Sequence, residues 1–257
     1  MGKNLKIKMT VLALFVITVL FFSSLSSSYI PLTTGKITQG GIKKIKSLEE
    51  DDVNAIQKKI DEKQQNFIAQ KELDSSNFTN SDYKTFFKNT VFMGDSLTQP
   101  LDFYGFLDST SVVAEKGRYV VAALNDVDKV ASLYPTRVIM LYGMNDLGYY
   151  PQIEDFITNY KILINKVKSK LPKAEIVILS PLYVTQAAQI NSPEVSTDRI
   201  DKSNELIVEM CEEEEIEYID IREIITKNPN LYEPDGMHVV ADFYNKLLDL
   251  LILKLRF

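Results

Sequence analysis

The sequence predicts a three-layer α/β/α protein, in which a central, mostly parallel five-stranded sheet lies between two layers of helices. From residue 90 to the C-terminus, short apolar runs alternate with longer segments in which apolar residues recur at helical spacing. Such alternation is typical of a parallel sheet covered by helices on both faces. Ahead of this region, residues 9–25 are almost wholly apolar and residues 26–82 are mostly polar. We therefore expect an N-terminal transmembrane segment and a helical stalk before the α/β domain.

The composition is that of a globular protein, and it narrows the classes of partner. Hydrophobic residues make up 45% of the 257 positions, which is enough to bury the core of one domain. The formal net charge is −6 and no basic patch stands out, which argues against nucleic acid as the main partner. A single cysteine, Cys211, excludes an internal disulfide, and a single histidine leaves no zinc-type cluster of ligands. We predict neither a metal nor a cofactor.

Residues 1–28 are typical of an export segment. Lysines and no acidic residues precede the apolar run at residues 9–25. Positive charge on that side places the N-terminus in the cytoplasm and the rest of the chain outside it. The run is short for a bilayer span and long for a signal-peptide core, so two outcomes stay open. We favour an uncleaved anchor, which makes the chain a single-pass protein of the cell membrane. The alternative is secretion after cleavage near Ser24, Ser26 or Ser28.

Residues 29–82 are predicted to connect this segment to the α/β domain. Residues 29–46 mix glycine and proline with polar residues, which indicates a flexible spacer. Residues 47–50 have the pattern of a capping box, and residues 49–73 carry a thin apolar stripe among charged residues. We favour a solvated stalk helix, with a short dimerising coiled coil as the alternative. The α/β domain itself is predicted to span residues 83–257.

Within that domain the pattern predicts five strands and four longer helices. Apolar runs bounded by turns indicate the strands, and apolar residues three or four positions apart indicate the helices. The strands are Val91–Met93, Val112–Ala114, Arg137–Tyr142, Glu175–Ser180 and Glu217–Ile221. The helices are Val120–Leu133, Ile153–Leu171, Thr197–Glu214 and Val239–Leu255.

Candidate functional residues follow the first three predicted strands and precede the last helix. Ser96 follows the first strand, Gly117 the second and Asn145 the third. Asp235 and His238 lie just before the final helix. Because the carboxyl ends of parallel strands share one edge of a sheet, all of these residues can reach one site.

Ser96 and His238 indicate nucleophilic chemistry at that edge. A serine hydroxyl needs a base that works near neutral pH, and His238 is the only histidine in the chain. Asp235, in the same loop, can hold the ring nitrogen that faces away from the serine. Each residue also has a structural alternative: Ser96 as a helix N-cap, Asn145 as the cap of a turn, and His238 as a hydrogen-bonded structural histidine. Asp146 is expected to cap that turn or the next helix.

Four short segments, taken in order, resemble the sequence blocks of the SGNH hydrolases, the GDSL-type esterase superfamily. They are Gly94-Asp95-Ser96-Leu97, Gly117, Gly143-Met144-Asn145-Asp146 and Asp235-Gly236-Met237-His238. The resemblance covers the chain from about residue 90 to the C-terminus, although the residues around Gly117 lack the flanking glycines often found in the second block.

The resemblance implies an SGNH, flavodoxin-like fold and a role for each matched residue. Ser96 corresponds to the nucleophile of a catalytic triad that Asp235 and His238 complete. The oxyanion hole would be formed by the backbone N–H groups of Ser96 and Gly117 and by the side-chain amide of Asn145. No residue is assigned to substrate binding, although Arg118 and Tyr119 beside Gly117 are candidates for substrate contact or for plain surface.

We expect an exported serine esterase that hydrolyses ester bonds through an acyl-enzyme. An enzyme tethered outside the membrane meets cell-envelope polymers first, and the family includes esterases that act on O-acetylated sugars. The sequence has no long apolar lid over the site, which favours acetyl groups on a cell-envelope or other carbohydrate. Three alternatives stay open: a lipase or lysophospholipase, an O-acetyltransferase with the same triad, and a non-catalytic envelope scaffold or binding protein. The oligomeric state is not predicted.

Overall fold

The computed structural model describes residues 78–255 as an α/β domain. Its strands are β1 (Thr90–Gly94), β2 (Val112–Ala114), β3 (Arg137–Leu141), β4 (Glu175–Leu179) and β5 (Glu217–Ile219). Its α-helices are α1 (Asn80–Phe86), α2 (Pro100–Phe103), α3 (Val120–Ala123), α4 (Val127–Ser132), α5 (Met144–Tyr149), α6 (Ile153–Lys170), α7 (Gln186–Asn191), α8 (Thr197–Glu213), α9 (Arg222–Lys227) and α10 (Ala241–Lys254).

The predicted export segment, and nearly all of the predicted spacer and stalk, lie outside the described residues. Across residues 78–255, no helix combines the length and the apolar character needed to cross a bilayer. The anchor, the stalk and the localisation therefore stay predictions.

The described strands form one sheet in the order β2-β1-β3-β4-β5. Every neighbouring pair is parallel. β1 and β3 pair along their full length, from Thr90 opposite Arg137 to Gly94 opposite Leu141. The predicted five-stranded sheet is confirmed. The largest difference at a strand end is in β5, which ends at Ile219 rather than at the predicted Ile221.

Alternate residues of each strand pack against helices on opposite faces of the sheet. On one face, Phe92 and Ile139 lie in a core with residues of α1, α9 and α10. On the other face, Met93 and Met140 lie in a core with residues of α3, α4, α6 and α8. A strand covered on both faces is apolar at nearly every position, which explains the uninterrupted apolar runs of β1 and β3. The predicted three-layer arrangement is confirmed.

The strand order places a switch point between β1 and β3. From β1 the chain passes to β2 on one side and then enters β3 on the other side of β1. Open parallel sheets bind ligands in the crevice outside such a point, at the carboxyl ends of the strands. The turn after β1 and helix α5 after β3 both begin there.

The helices differ from the sequence prediction in two ways. The predicted helix Val120–Leu133 is interrupted by a 3₁₀ turn at Leu124–Asp126, which separates α3 from α4. Helices α1, α2, α5, α7 and α9 are absent from the prediction. Each of these has four to seven residues, which is too few for helical periodicity to show clearly in a sequence.

Helix α1 attaches the start of the described domain to α10. Thr79 and Asp82 form a reciprocal capping box at its N-terminus. Tyr83 is fully buried, and its hydroxyl donates to Asp249 Oδ1 at 2.7 Å. The helix runs across the domain boundary predicted at residue 83, and that boundary stays a prediction.

Replacing Tyr83 with phenylalanine removes this hydrogen bond while keeping the ring. We expect the free energy of unfolding to fall by about 1–3 kcal/mol, because the bond has a charged acceptor in a partly buried site. Urea unfolding of the full chain, followed by circular dichroism, measures the change. Tyr134→Phe is the matched control, since Tyr134 is 85% exposed and its hydroxyl should contribute nothing. Equal stability of Tyr83→Phe and the wild type would contradict the expected contribution.

Candidate active site

Ser96 is half-buried on a tight turn directly after β1, at the carboxyl edge of the sheet. The N–H of Thr98 donates to the carbonyl of Asp95 at 3.0 Å and closes the turn. At Gly94, a Cβ would lie 2.0 Å from Thr98 Oγ1 and 2.8 Å from the Leu141 carbonyl oxygen. The turn can therefore fold back against the end of β3 only because residue 94 has no side chain.

The structure brings Ser96, His238 and Asp235 into one chain of hydrogen bonds. His238 Nε2 lies 3.1 Å from Ser96 Oγ, and His238 Nδ1 lies 2.6 Å from Asp235 Oδ2. With its proton on Nδ1, the imidazole donates to the carboxylate and leaves Nε2 to accept the serine hydroxyl proton. The three residues predicted to form a triad therefore meet, although they come from opposite ends of the domain.

Asp235 also shapes the loop that carries the histidine. Its Oδ1 atom accepts from the backbone N–H groups of Met237 and His238, both at 2.9 Å. Burial acts to raise the pKa of the Asp235 carboxyl, but the bonds from His238 and from the two backbone groups outweigh it and lower the pKa overall. The group is therefore ionised at neutral pH, as an acceptor for the imidazole must be.

A second set of contacts holds this loop against the segment after β4. The N–H of Thr185 donates to the carbonyl of Gly236 at 2.9 Å. The hydroxyl of Tyr232 donates to the carbonyl of Tyr183 at 2.8 Å. Gly236 has a φ of 71°, and a Cβ there would lie 2.0 Å from Thr185 Oγ1. Glycine thus satisfies both a left-handed backbone and a close approach, which fixes the position of the loop.

Asn145 lies in the first turn of α5, directly after β3. Its Nδ2 atom donates to Asp95 Oδ2 at 2.7 Å and to the carbonyl oxygen of Arg118 at 3.3 Å. Because Asp95 precedes Ser96, the amide lies beside the turn that carries the serine. Both amide hydrogens have protein partners in this arrangement, and the bond to Arg118 is the longer and weaker of the two.

Gly117 lies in the turn that follows β2 and has a φ of 75°. The N–H of Arg118 donates to the carbonyl of Glu115 at 3.0 Å and closes this turn. The Arg118 carbonyl accepts from the Asn145 amide, so this turn lies next to another of the predicted oxyanion donors. A Cβ on residue 117 would meet no atom within 4 Å, so the backbone conformation rather than lack of space favours glycine here.

Comparison with known proteins identifies the family. The sequence profile of the GDSL-like Lipase/Acylhydrolase family matches residues 92–245, which is more than half of the chain. The chain belongs to this family. The match includes both the Ser96 turn and the His238 loop, and it confirms the resemblance predicted from the four segments. Membership implies that the protein is a hydrolase of ester bonds.

Several solved structures share the fold of this GDSL-like domain. A lipase/acylhydrolase from Enterococcus faecalis is 18% identical with a TM-score of 0.51, and the match covers 65% of this chain and 95% of that one. A GDSL-like lipase from Bacteroides thetaiotaomicron is 17% identical with a TM-score of 0.50, and the match covers 73% and 98%. A carbohydrate esterase family 3 protein from Talaromyces cellulolyticus is 15% identical with a TM-score of 0.50, and the match covers 65% and 95%. At these identities the likeness shows the fold alone. No curated protein matches the chain.

Two buried carboxyl groups support the side of the GDSL-like site that contains Asn145. Asp95 is 1% exposed and accepts from the Asn145 amide. Asp146 is fully buried and accepts from the N–H groups of Gly143 and Val120 at 3.1 and 2.9 Å. Burial raises the pKa of Asp95 to about 6. Burial and the nearby charge of Asp95 raise the pKa of Asp146 to about 7, although its backbone hydrogen bonds act in the opposite direction.

The side chains of Glu233, Asp235 and His238 form the one group in residues 78–255 whose ligand atoms could hold a metal ion. These atoms lie within 4.8 Å of one another. Both ring nitrogens of His238 already face Ser96 and Asp235, so a cation would have to displace one of these contacts. The absence of a metal or cofactor requirement stays a prediction.

The sequence prediction missed most of the residues that support the site. Asp95 appears there only as a member of the first matched segment, with no role of its own, whereas in the structure it holds the Asn145 amide. The sequence feature that could have indicated a role for Asp95 in the site is its position between Gly94 and Ser96, inside the matched segment. Asp146 caps α5 as one of the expected alternatives, but its bond to the N–H of Val120 has no local signal in the sequence.

Replacing Asp95 with asparagine should flatten the pH dependence of stability. The pKa of this carboxyl rises from 3.8 to about 6 on folding, so the folded state holds the proton more tightly. The resulting stabilisation is fully present below about pH 4 and is lost as the pH rises through about 6. We expect the unfolding free energy of the wild type, relative to the variant, to fall by up to about 3 kcal/mol between about pH 4 and pH 7.

Urea unfolding of both proteins at a series of pH values measures this difference. Asp102→Asn is the control, because it removes an exposed carboxyl group from α2 without disturbing the site. A difference between wild type and Asp95→Asn that stays constant with pH would show that burial does not hold the proton on Asp95.

Proposed function

We propose that this GDSL-like protein is an exported serine esterase that removes O-acetyl groups from a carbohydrate through an acyl-enzyme. The observation that carries the proposal is the hydrogen-bonded chain from Ser96 through His238 to Asp235. A serine, a base near neutral pH and an ionised acid that orients the base are the parts needed for nucleophilic attack on an ester carbonyl.

In the first half of the reaction, Ser96 Oγ attacks the carbonyl carbon of the ester. His238 Nε2 takes the hydroxyl proton as the new C–O bond forms, and Asp235 stabilises the resulting imidazolium. When the tetrahedral intermediate collapses, the bond to the alcohol oxygen breaks and that oxygen takes the proton from His238. The products of this half are the free alcohol and an ester of the acetyl group with Ser96.

Water completes the cycle by the same steps. His238 removes a proton from a water molecule whose oxygen adds to the acyl carbon. Collapse of the second intermediate breaks the bond to Ser96 Oγ, which takes the proton back from His238. Acetic acid is released, and the resting hydrogen bonds re-form.

The negative oxygen of both intermediates needs donors aimed at it, and we assign the backbone N–H groups of Ser96 and Gly117 and the amide of Asn145. The amide can exchange its 3.3 Å bond to Arg118 for the oxyanion, while its 2.7 Å bond to Asp95 keeps it anchored. Loss of one such donor typically lowers turnover by about 10²–10³.

We favour a short acyl group on a sugar, because the element after the Ser96 turn is too short to form a lid over a long acyl chain. The element that follows the Ser96 turn is α2, a helix of only four residues. A long chain binds by enclosure in an apolar cavity, and a helix of this length supplies little of the wall that such a cavity needs. The fold also occurs in a carbohydrate esterase, so it is compatible with this class of substrate.

We also propose that the domain works outside the cytoplasm, tethered by residues 9–25. The support is in the sequence: the lysines before the apolar run hold the N-terminus inside, and the polar residues 26–82 give the domain a spacer. A tethered enzyme would find acylated carbohydrate of the cell envelope within its reach.

The Ser96→Ala variant should fold normally and lose ester cleavage. We expect the wild-type full chain to cleave p-nitrophenyl acetate faster than p-nitrophenyl octanoate, and we expect kcat/KM of the variant to fall by roughly 10³–10⁶. A fluorophosphonate probe should label the wild type on Ser96, as mapped by mass spectrometry, and should not label the variant. Ser132→Ala is the matched control, because Ser132 is exposed at the end of α4, away from the site.

Each of the other outcomes would contradict this proposal and indicate a different function. Faster cleavage of the octanoate ester would show that the protein is a lipase rather than an acetylesterase. Acetyl transfer to an added sugar acceptor, in preference to acetate release, would make the protein an acetyltransferase. A folded wild type that takes no label and cleaves neither ester would be a scaffold or binding protein.

Cells that express the full chain should contain it in the membrane fraction, with the α/β domain accessible to protease added outside the cytoplasmic membrane. Deletion of residues 1–28 should leave the domain in the cytoplasm, because the export segment is gone. Immunoblots of fractionated cells measure both. A soluble external protein that begins near residue 28 would show a cleaved signal, and full-length protein in the cytoplasm would show that no export occurs.

A further inference from the structure

Two tyrosines form a stacked pair on the surface of the domain. The ring centroids of Tyr119 and Tyr149 lie 4.4 Å apart, and the ring planes are inclined by 17°. Tyr149 is 57% exposed, and Tyr119 is half-buried. Neither residue takes part in the chemistry proposed above.

The pair lies beside the proposed oxyanion donors. Tyr119 directly follows Arg118, whose carbonyl accepts from the Asn145 amide at 3.3 Å. Tyr149 follows Asn145 by about one turn in α5, so the two side chains share a face of that helix. A substrate whose carbonyl oxygen reaches Asn145 therefore brings its neighbouring groups to the tyrosine pair.

The Asp146 carboxylate joins the two segments that carry the tyrosines. One oxygen accepts from the N–H of Val120, which is next to Tyr119 in the chain. The other accepts from the N–H of Gly143, at the start of the helix that carries Tyr149. The pair is therefore held by the same buried group that supports the oxyanion side of the site.

Arg199 braces the other end of α5. Its guanidinium, on α8, donates to the carbonyl oxygens of Leu147 and Tyr150 at 3.2 and 3.0 Å. These carbonyls lie at the C-terminal end of the helix, on either side of Tyr149. A surface that is already ordered loses little conformational entropy when a ligand binds, which favours its use for binding.

We propose that the Tyr119–Tyr149 pair is a sugar-binding subsite that stacks against a pyranose ring of the acylated carbohydrate. This assignment rests on the proposed function and names the part of the substrate that this surface holds. The faces of a pyranose ring present C–H groups with partial positive charge, and the face of an aromatic ring is negative. Tyrosine hydroxyls lie at the ring edge, where they can meet the hydroxyls at the edge of the sugar.

The same surface suits an acyl chain less well. A hydrocarbon chain is held by enclosure, whereas Tyr149 is more than half exposed. The turn next to Tyr119 carries ion pairs of Arg118 with Glu115 and Asp126. Charged and hydrogen-bonding groups beside the rings match sugar hydroxyls and would be poor neighbours for a hydrocarbon.

The test uses two acetyl esters, of which glucose pentaacetate has a pyranose ring and glyceryl triacetate has no ring. For Tyr149→Ala in the full chain, the ratio of kcat/KM for the sugar ester to that for the glycerol ester should fall about five- to tenfold, mainly through KM. Tyr149→Phe keeps the ring and should retain most of the ratio. Tyr134→Ala is the matched control, since it removes an exposed tyrosine just before β3, at the opposite edge of the sheet.

If Tyr149→Ala leaves the ratio of kcat/KM for the sugar ester to that for the glycerol ester unchanged, the proposed sugar-binding subsite is wrong. A loss confined to p-nitrophenyl octanoate would also overturn it, because the rings would then hold an acyl chain. If the wild type cleaves glyceryl triacetate but not glucose pentaacetate, the subsite is wrong while the esterase stands. If the wild type cleaves neither ester and takes no fluorophosphonate label, the esterase itself is wrong and the subsite falls with it.

Discussion

The in-register pairing of β1 with β3 is the constraint on which the site depends. The two strands run side by side from Thr90 opposite Arg137 to Gly94 opposite Leu141, so both end at the same level. The turn that follows one strand and the helix that follows the other therefore begin together, and Asp95 comes within 2.7 Å of Asn145. A slip of one residue would send alternate side chains to the wrong face and separate these groups.

The sequence predicts the parts of this protein whose signal is local. β1 and β3 are covered on both faces, so burial alone makes them apolar runs, and parallel order then brings Ser96 and Asn145 to one edge. The meeting of His238 with Ser96 was also predictable, because a nucleophilic serine needs a base and the chain has one histidine. Asp235 was predictable as well, because it lies three residues before His238 in the same loop.

What the sequence could not predict are contacts between distant segments and elements too short to show a period. The bond from Thr185 to Gly236 depends on where the segment after β4 runs, and no pattern in either residue indicates it. Helix α5 is only six residues long, yet it fixes the position of Asn145. Asp146 shows the same limit, because its capping of α5 is a local pattern while its second bond, to Val120, is a product of the fold.

The resting contacts of Asn145 bear on how the enzyme would release its product. Both hydrogens of the amide already have oxygen partners within the protein, so this donor is satisfied by the fold itself. A carboxylate left behind by hydrolysis gains from this group only the difference between two hydrogen bonds, one formed and one given up. In the proposed reaction, the Asn145 amide therefore contributes little to the affinity for the acetate product. Weak binding of acetate favours turnover in surroundings where acetate accumulates.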